Sequence, residues 1–235
     1  MGDESFLSRT ALLVGDEAMQ RIATRKVILF GVGGVGSWCA EALVRSGVRR
    51  LTIVDGDIVA PSNVNRQLMA TSTTVGRVKV EVMRERLLDI SPEAEITALH
   101  TTYTPDTAEM FQLADYDYII DAIDSIPDKV HLLCYASTMK GRVISSMGAA
   151  RKVDTAQVSV TEFWKVQGCP LARALRKRMK QTNQFPAKKI QCVYSPEQLP
   201  NRGQSAEGSR TNGTLVHVTA LFGLTLAGLV LKNEM

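Results

Sequence analysis

The chain reads as an α/β protein, a Rossmann-like, doubly wound, mostly parallel sheet with an antiparallel C-terminal extension. Three observations predict this. Residues 26–57 run as apolar segment, glycine turn, helix-compatible segment, second apolar segment and acid. Short apolar runs then alternate with helical periodicity as far as Met147, the pattern of strands buried between two helical layers. At 235 residues the chain suits one domain able to bury roughly 70% of its unfolded surface.

Taken in order, residues 1–24 form an N-terminal helical arm with a helix over 15–23, and they lack the basic-then-apolar pattern of a secretion signal. The nucleotide-binding core is expected over 26–150. Val27–Phe30 is a strand, Gly36 to Gly47 a helix, and Leu51–Val54 a second strand ending in Asp55. The polar stretch to Thr74 is long for a plain connection, which favours a functional loop. Gly76–Ile90 repeats apolar residues at helical spacing and stops before Pro92. Residues 95–99 are a strand, 105–113 a short helix, 116–122 a buried strand, 126–140 a helix and 142–147 a strand. The remainder, 151–235, holds an alternating segment at 153–163, a basic helix at 170–180, a mobile loop at 200–213 rich in Gly, Ser and Asn, and an apolar run at 214–231.

The glycine turn carries the first functional reading. In Gly31-Val32-Gly33-Gly34-Val35-Gly36, Gly31 permits a tight turn, Gly33 and Gly34 let amides approach phosphate at a helix N-terminus, and Gly36 permits close packing. Asp55, nineteen residues beyond Gly36, suits a ribose. Asp57, Ser62, Asn63, Asn65, Arg66 and Lys79 follow where the carboxyl ends of parallel strands place ligands. Hydride transfer needs no cations beside a triphosphate, whereas attack at phosphorus does. Lys79 falls in the first turn of its helix, where the dipole disfavours a cation, so an external anion is expected beside it. Asp121 and Asp124 close the buried strand at 116–122, where one acid could hold a divalent cation bridged to nucleotide phosphates.

As a set, GVGGVGS, DGD, SNVNRQ, GRVKVEVMRERLLDISP and DAIDS resemble the ThiF/MoeB/HesA family of ATP-dependent adenylating enzymes, relatives of ubiquitin-activating enzymes. Within it the serine and tryptophan after the glycines and the DAIDS string are most similar to the branch of tRNA threonylcarbamoyladenosine dehydratases. The resemblance is dense over 9–150. It implies ATP and Mg²⁺ as cofactors, Arg66 and Lys79 offsetting phosphate charge, Asp124 with Ser125 at the metal and nucleotide, and Asp121 fixing the turn. It also implies a homodimer in which Arg9 reaches the partner's phosphates, with a possible sulfur-transfer partner. The chemistry implied is adenylation of the carboxylate of threonylcarbamoyladenosine in tRNA, followed by ring closure. Cys192 matches a cysteine of this branch, and a spectator role is favoured for it.

Four separated cysteines with no CxxC pair indicate a reducing cytoplasm and exclude a disulfide framework or zinc staple. Sulfur-carrier-activating relatives commonly have two such pairs. Activation of a ubiquitin-like carrier's C-terminus therefore stands as the alternative, ahead of a non-catalytic nucleotide-binding regulator and an NAD dehydrogenase. Net charge is +4, yet residues 163–196 carry eight bases and no acid. That segment, with Arg173, Arg176, Lys177, Arg178 and Lys180 on one helix, reads either as a tRNA contact or as a solvated face. The eighteen-residue run at 214–231 approaches bilayer-spanning length, but His217, Thr219 and Thr225 interrupt it, so a buried helix is expected in preference to membrane association.

Overall fold

A computed structural model describes residues 5–204 and 211–235. The elements follow in chain order: α1 (Ser8–Val14), α2 (Asp16–Thr24), β1 (Lys26–Phe30), α3 (Gly36–Arg45), β2 (Arg50–Val54), α4 (Lys79–Ile90), β3 (Glu95–Leu99), β4 (Tyr118–Asp121), α5 (Ile126–Ala136), β5 (Arg142–Ser146), β6 (Ser159–Glu162), α6 (Pro170–Thr182), β7 (Gln191–Tyr194) and α7 (Val216–Glu234). The seven strands lie in the order β3-β2-β1-β4-β5-β7-β6, parallel except for the antiparallel β6–β7 pair at one edge.

The central strands are apolar on both faces, and two cores result. One packs α3, α4 and α7 on one face of the sheet. The other packs α5 and α6 on the opposite face. Helices following β1 and β4 therefore leave to opposite sides, and their loops diverge above the carboxyl ends of two adjacent strands. Gly31 enters its turn at φ +87°, and a Cβ there would stand 2.7 Å from the Ala122 carbonyl oxygen of β4's own exit loop. Only glycine fits where these two loops abut.

Several expected elements take a different form. The segment at 105–113 is a 3-10 helix over Pro105–Phe111, started by Thr104, whose hydroxyl accepts from Thr107 N. Residues 8–14 form a separate helix, α1, that buries nothing. The helix expected from Gly76 starts at Lys79, because Ile58 and Val78 form a β-bridge that holds the preceding residues extended. Of the expected loop at 200–213, residues 205–210 lie outside the described residues.

The apolar run is α7, long and apolar enough to cross a membrane by length and composition, but Val218, Phe222, Leu226 and Val230 are buried in the core. Any Cβ at Gly223 would collide with Val35 O and Cys39 N, so α7 lies directly on the N-terminal turn of α3. Its last turn is tied by buried Glu234, which accepts from Tyr118 Oη at 2.5 Å and from Arg25 Nε at 2.8 Å. A polar lock of this kind belongs to a helix docked on protein.

Glu41 links α3 to α4: Arg86 Nε donates to its carboxylate at 2.5 Å and Arg45 Nε at 2.8 Å. Burial would raise the Glu41 pKa, but the hydrogen bonds from both arginines outweigh it and hold the carboxyl below its usual range. A folded-state pKa below the unfolded value of about 4.3 gives stabilisation that is complete above that value and is lost as pH falls through the folded one. Glu41→Gln is expected to cost about 1–3 kcal/mol at pH 7, with the deficit shrinking below about pH 4. Urea unfolding across pH checks this, and a deficit unchanged from pH 7 to 3 would contradict it.

Candidate active site

Above the diverging loops lies a cleft of about 770 Å³, within the range for a small-molecule site. Its floor is the glycine turn. Gly33, Gly34 and Val35 present backbone N–H groups that find no acceptor among the described residues. Three orphan amides at a helix N-terminus form a ready anion cradle. Behind them Gly36 is packed so tightly that any side chain would collide with Gly31 O, so it closes the turn from outside the cleft.

The turn is braced from two sides. Asp55 at the end of β2 accepts from Val32 N at 2.7 Å and from Asp57 N at 2.9 Å, leaving its further lone pairs toward the cleft. Ser37 Oγ donates to Gly33 O at 2.7 Å and accepts from Leu68 N at 3.1 Å, while Trp38 Nε1 donates to Arg66 O at 3.0 Å. The serine and tryptophan thus fasten the 61–70 loop over the glycines. Arg66 lies against Gly34, where a Cβ would meet its Cγ at 3.1 Å. Its Nη1 donates to Ser62 O at 2.9 Å and Asn65 Oδ1 at 2.8 Å. The remaining three N–H donors of the guanidinium stay uncommitted among the described residues. Ser62 and Asn65 do not line the cleft; they hold Arg66, and Asn65 Nδ2 also donates to Thr214 O at 3.2 Å. Asn63 does line it, with Oδ1 accepting from Ala60 N at 3.0 Å.

Lys79 is buried at the first position of α4, and its counter-ion is internal. Nζ lies 2.7 Å from Asp57 Oδ2, and Lys79 N donates to Asp57 O at 3.1 Å. The external anion expected from the dipole is therefore replaced by Asp57, which lines the cleft beside it. On the opposite wall Asp124 is exposed, next to Ser125, whose Oγ donates to Asp128 Oδ2 at 2.5 Å. Asp121 lies below them, fully buried, with Lys129 Nζ at 2.7 Å and Ser145 Oγ at 2.6 Å, and it accepts from Ile123 N at 3.2 Å. Lys129 Nζ also donates to Ile123 O at 2.8 Å. This buried pair grips the backbone immediately before Asp124.

The structure thus gathers Gly31, Gly33, Gly34, Asp55, Asp57, Asn63, Arg66, Lys79, Asp124 and Ser125 on one cleft. Arg9 lies apart from it on α1. Sequence reasoning missed Gln67, Tyr103, Asp128, Met147–Ala150 and Thr214, which also line it. Tyr103 and Met147–Ala150 follow the ends of β3 and β5, so the strand-end rule could have found them. Gln67 Oε1 is buried with no partner among the described residues, an acceptor awaiting a donor.

A nucleoside triphosphate fits this chemistry: free amides and two cations for phosphates, an acid for ribose, and an unpaired buried amide oxygen for a polar group. No cluster of three metal-ligating side chains occurs among the described residues. Mg²⁺ needs none, because one or two carboxylates suffice when phosphates supply the rest. Cys192 is fully buried in β7, outside the cleft, and burial pushes its thiol up. That is the opposite of an activated nucleophile.

The basic segment is also partly committed. Arg176 Nη1 donates to the carbonyls of Phe163, Trp164 and Val166 at 3.2, 3.2 and 2.9 Å, so it clamps a turn instead of facing solvent as expected. Arg173, Lys177, Arg178 and Lys180 are exposed.

A family model described as the ThiF family matches residues 7–233. The tRNA threonylcarbamoyladenosine dehydratase of Bacillus subtilis (strain 168) is 42% identical over 81% of this chain and 74% of that protein. The protein of the same name from Escherichia coli (strain K12) is 36% identical over 96% of this chain and 92% of its own length. A crystal structure of the E. coli enzyme in complex with ATP superposes with a TM-score of 0.88 at 36% identity, covering 97% of this chain and 93% of that one.

Removing one partner of a buried ion pair costs about 3–5 kcal/mol. Lys129→Met should lose stability of that order in urea unfolding, and Asp121→Asn/Lys129→Met should recover more than half of it. A single variant as stable as the parent would show that the pair does not hold the Asp124 turn.

Proposed function

The chain belongs to the ThiF family, and from that premise we propose that it is an ATP-dependent tRNA threonylcarbamoyladenosine dehydratase. The observation that carries the reading is the cleft itself: three unpaired amides, Arg66, Lys79 and Asp124 converge on one rim of the sheet, in a chain that matches an ATP-bound dehydratase over nearly its whole length.

In the first step the carboxylate of the modified nucleoside attacks the α-phosphorus of ATP, and pyrophosphate leaves. A carboxylate is already ionised at neutral pH, so no general base is required. His100, His131 and His217 line no part of the cleft. The chain's contribution is positioning and charge offset. Gly33, Gly34 and Val35 amides hold phosphate oxygens, while Arg66 and Lys79 neutralise charge that grows on the phosphates. Asp55 holds the ribose, and Asp124 with Asp128 would hold Mg²⁺, which offsets charge on the phosphates. In the second step a nucleophile within the same nucleoside attacks the acyl phosphate, closes a ring and releases AMP. Intramolecular attack at an effective molarity on the order of 10⁵ M needs no protein nucleophile, which agrees with the burial of Cys192.

The tRNA is met by Arg173, Lys177, Arg178 and Lys180 on α6, whose first turn reaches the cleft at Leu171. The active unit is a homodimer in the cytoplasm. Support for the dimer comes from α1, which buries nothing and leaves Leu12 87% and Leu13 80% exposed beside Arg9. A second copy covering that face would bring Arg9 to its neighbour's phosphates.

Incubating total tRNA with protein and Mg-ATP should convert threonylcarbamoyladenosine to a product one water lighter, read by nucleoside mass spectrometry; no loss of water under these conditions contradicts the reading. Arg66→Ala should lower kcat by roughly 10²–10³, the usual cost of one transition-state donor. Arg9→Ala should be comparably slow, and mixing it with Arg66→Ala should restore activity in mixed dimers. A mixture no faster than its components rules out the shared site.

A further inference from the structure

Two aromatic rings stand open on the basic side of the molecule. Trp164 is 43% exposed and Phe185 49%. Their centroids are 6.1 Å apart at 40°. Trp164 sits in the 3-10 turn just before α6, and Phe185 follows α6 after Asn183 ends the helix in the left-handed conformation. The chain therefore turns back to pair two rings that neither core covers.

The pair is rigidly mounted. Phe163, buried beneath, meets Trp164 edge-on at 5.2 Å and 75°. Glu162 caps Trp164 N at 2.9 Å, and Arg176 Nη1 clamps the Trp164 carbonyl at 3.2 Å. Exposed Lys165, Arg173, Lys177 and Lys180 lie on the same stretch of chain. No base between 163 and 196 makes an ion pair among the described residues, and the segment contains no acid. Open rings ask for a flat apolar ligand, and unpaired cations ask for anions beside it. An unpaired nucleotide offers both, a base face to stack and phosphates to pair. A duplex offers only the phosphates.

We propose that Trp164 and Phe185 form a stacking platform for an unpaired base of the RNA substrate, with neighbouring phosphates on Lys165, Lys177 and Lys180. The proposal rests on the tRNA reading above and adds to it how a loop is told from a helix. Its position suits the task. Arg176, which anchors Trp164, lies five residues along α6 from Leu171 at the cleft, roughly 8 Å of helix. A loop nucleotide near the modified one can stack while the modified one enters the cleft.

The test measures binding of an anticodon stem-loop RNA and of a blunt duplex of equal length, across a salt series, to the full chain. Trp164→Leu and Phe185→Leu should each weaken stem-loop binding roughly tenfold, toward the lower end for loss of a base–aromatic stack. Their salt slope, duplex binding and ATP binding should match the parent. Lys177→Gln should weaken both RNAs and reduce the slope by about one. Because about half of each ring is open, either substitution should lower the thermal midpoint by no more than a few degrees, and both variants stay folded at the temperature of the binding measurement. Ring variants that bind the stem-loop like the parent, or that lose duplex and loop equally, overturn the platform. So does self-association of the parent without RNA that Trp164→Leu abolishes, which would mean the rings meet a second copy. Turnover separates the two levels: parent protein that dehydrates its tRNA, with Trp164→Leu at equal kcat/KM, sinks the platform alone, whereas parent protein that binds no RNA sinks both.

Discussion

Strands β1 and β4 lie side by side, and their following helices depart to opposite faces of the sheet. The nucleotide cleft of this molecule follows from that divergence. Loops that part at adjacent strand ends cannot fill the space between them, so a crevice opens there. The amides of Gly33, Gly34 and Val35 face that crevice because α3 begins at its floor. The exclusion of side chains at Gly31 and Gly36 is the steric consequence of two exit loops and a helix sharing one small volume.

The rest of the site is arranged by polar partners that hold its charged groups in place before any ligand arrives. Lys79 is held by Asp57, and Arg66 by Ser62 and Asn65. Asp121 and Lys129 meet with no solvent at all. A buried pair of this kind adds little net stability, since its desolvation offsets most of its attraction. Its value here is positional: Asp121 takes the amide and Lys129 the carbonyl of Ile123, fixing the backbone from which Asp124 projects. Preorganised cations then cost no rearrangement when phosphate charge grows.

Much of this was legible in the sequence because it is local. The glycine turn, its flanking strands and Asp55 fall within a single stretch of chain, and periodicity separated α4 and α5 from their strands. What escaped depends on distance. Lys79 was legible as a helix-start cation, but its partner Asp57 comes close only through the Ile58–Val78 bridge. The short strand β7 is not readable from the sequence, since the five residues between Lys188-Lys189 and Ser195-Pro196 carry too little period, and pairing with β5 and β6 defines it. Thr214 reaches the cleft from the far end of the chain, where Asn65 Nδ2 donates to its carbonyl. Arg176 looked like its exposed neighbours on a charge count, and only the turn it clamps sets it apart.

On this reading the open amides of the glycine turn receive the triphosphate. Amide hydrogen exchange by NMR, with and without Mg-ATP, tests it most directly. Exchange at Gly33, Gly34 and Val35 should slow more than tenfold on nucleotide binding, while Val32, already bonded to Asp55, changes little. If Mg-ATP binds and those three amides exchange as before, the nucleotide lies elsewhere and the account of this cleft is wrong.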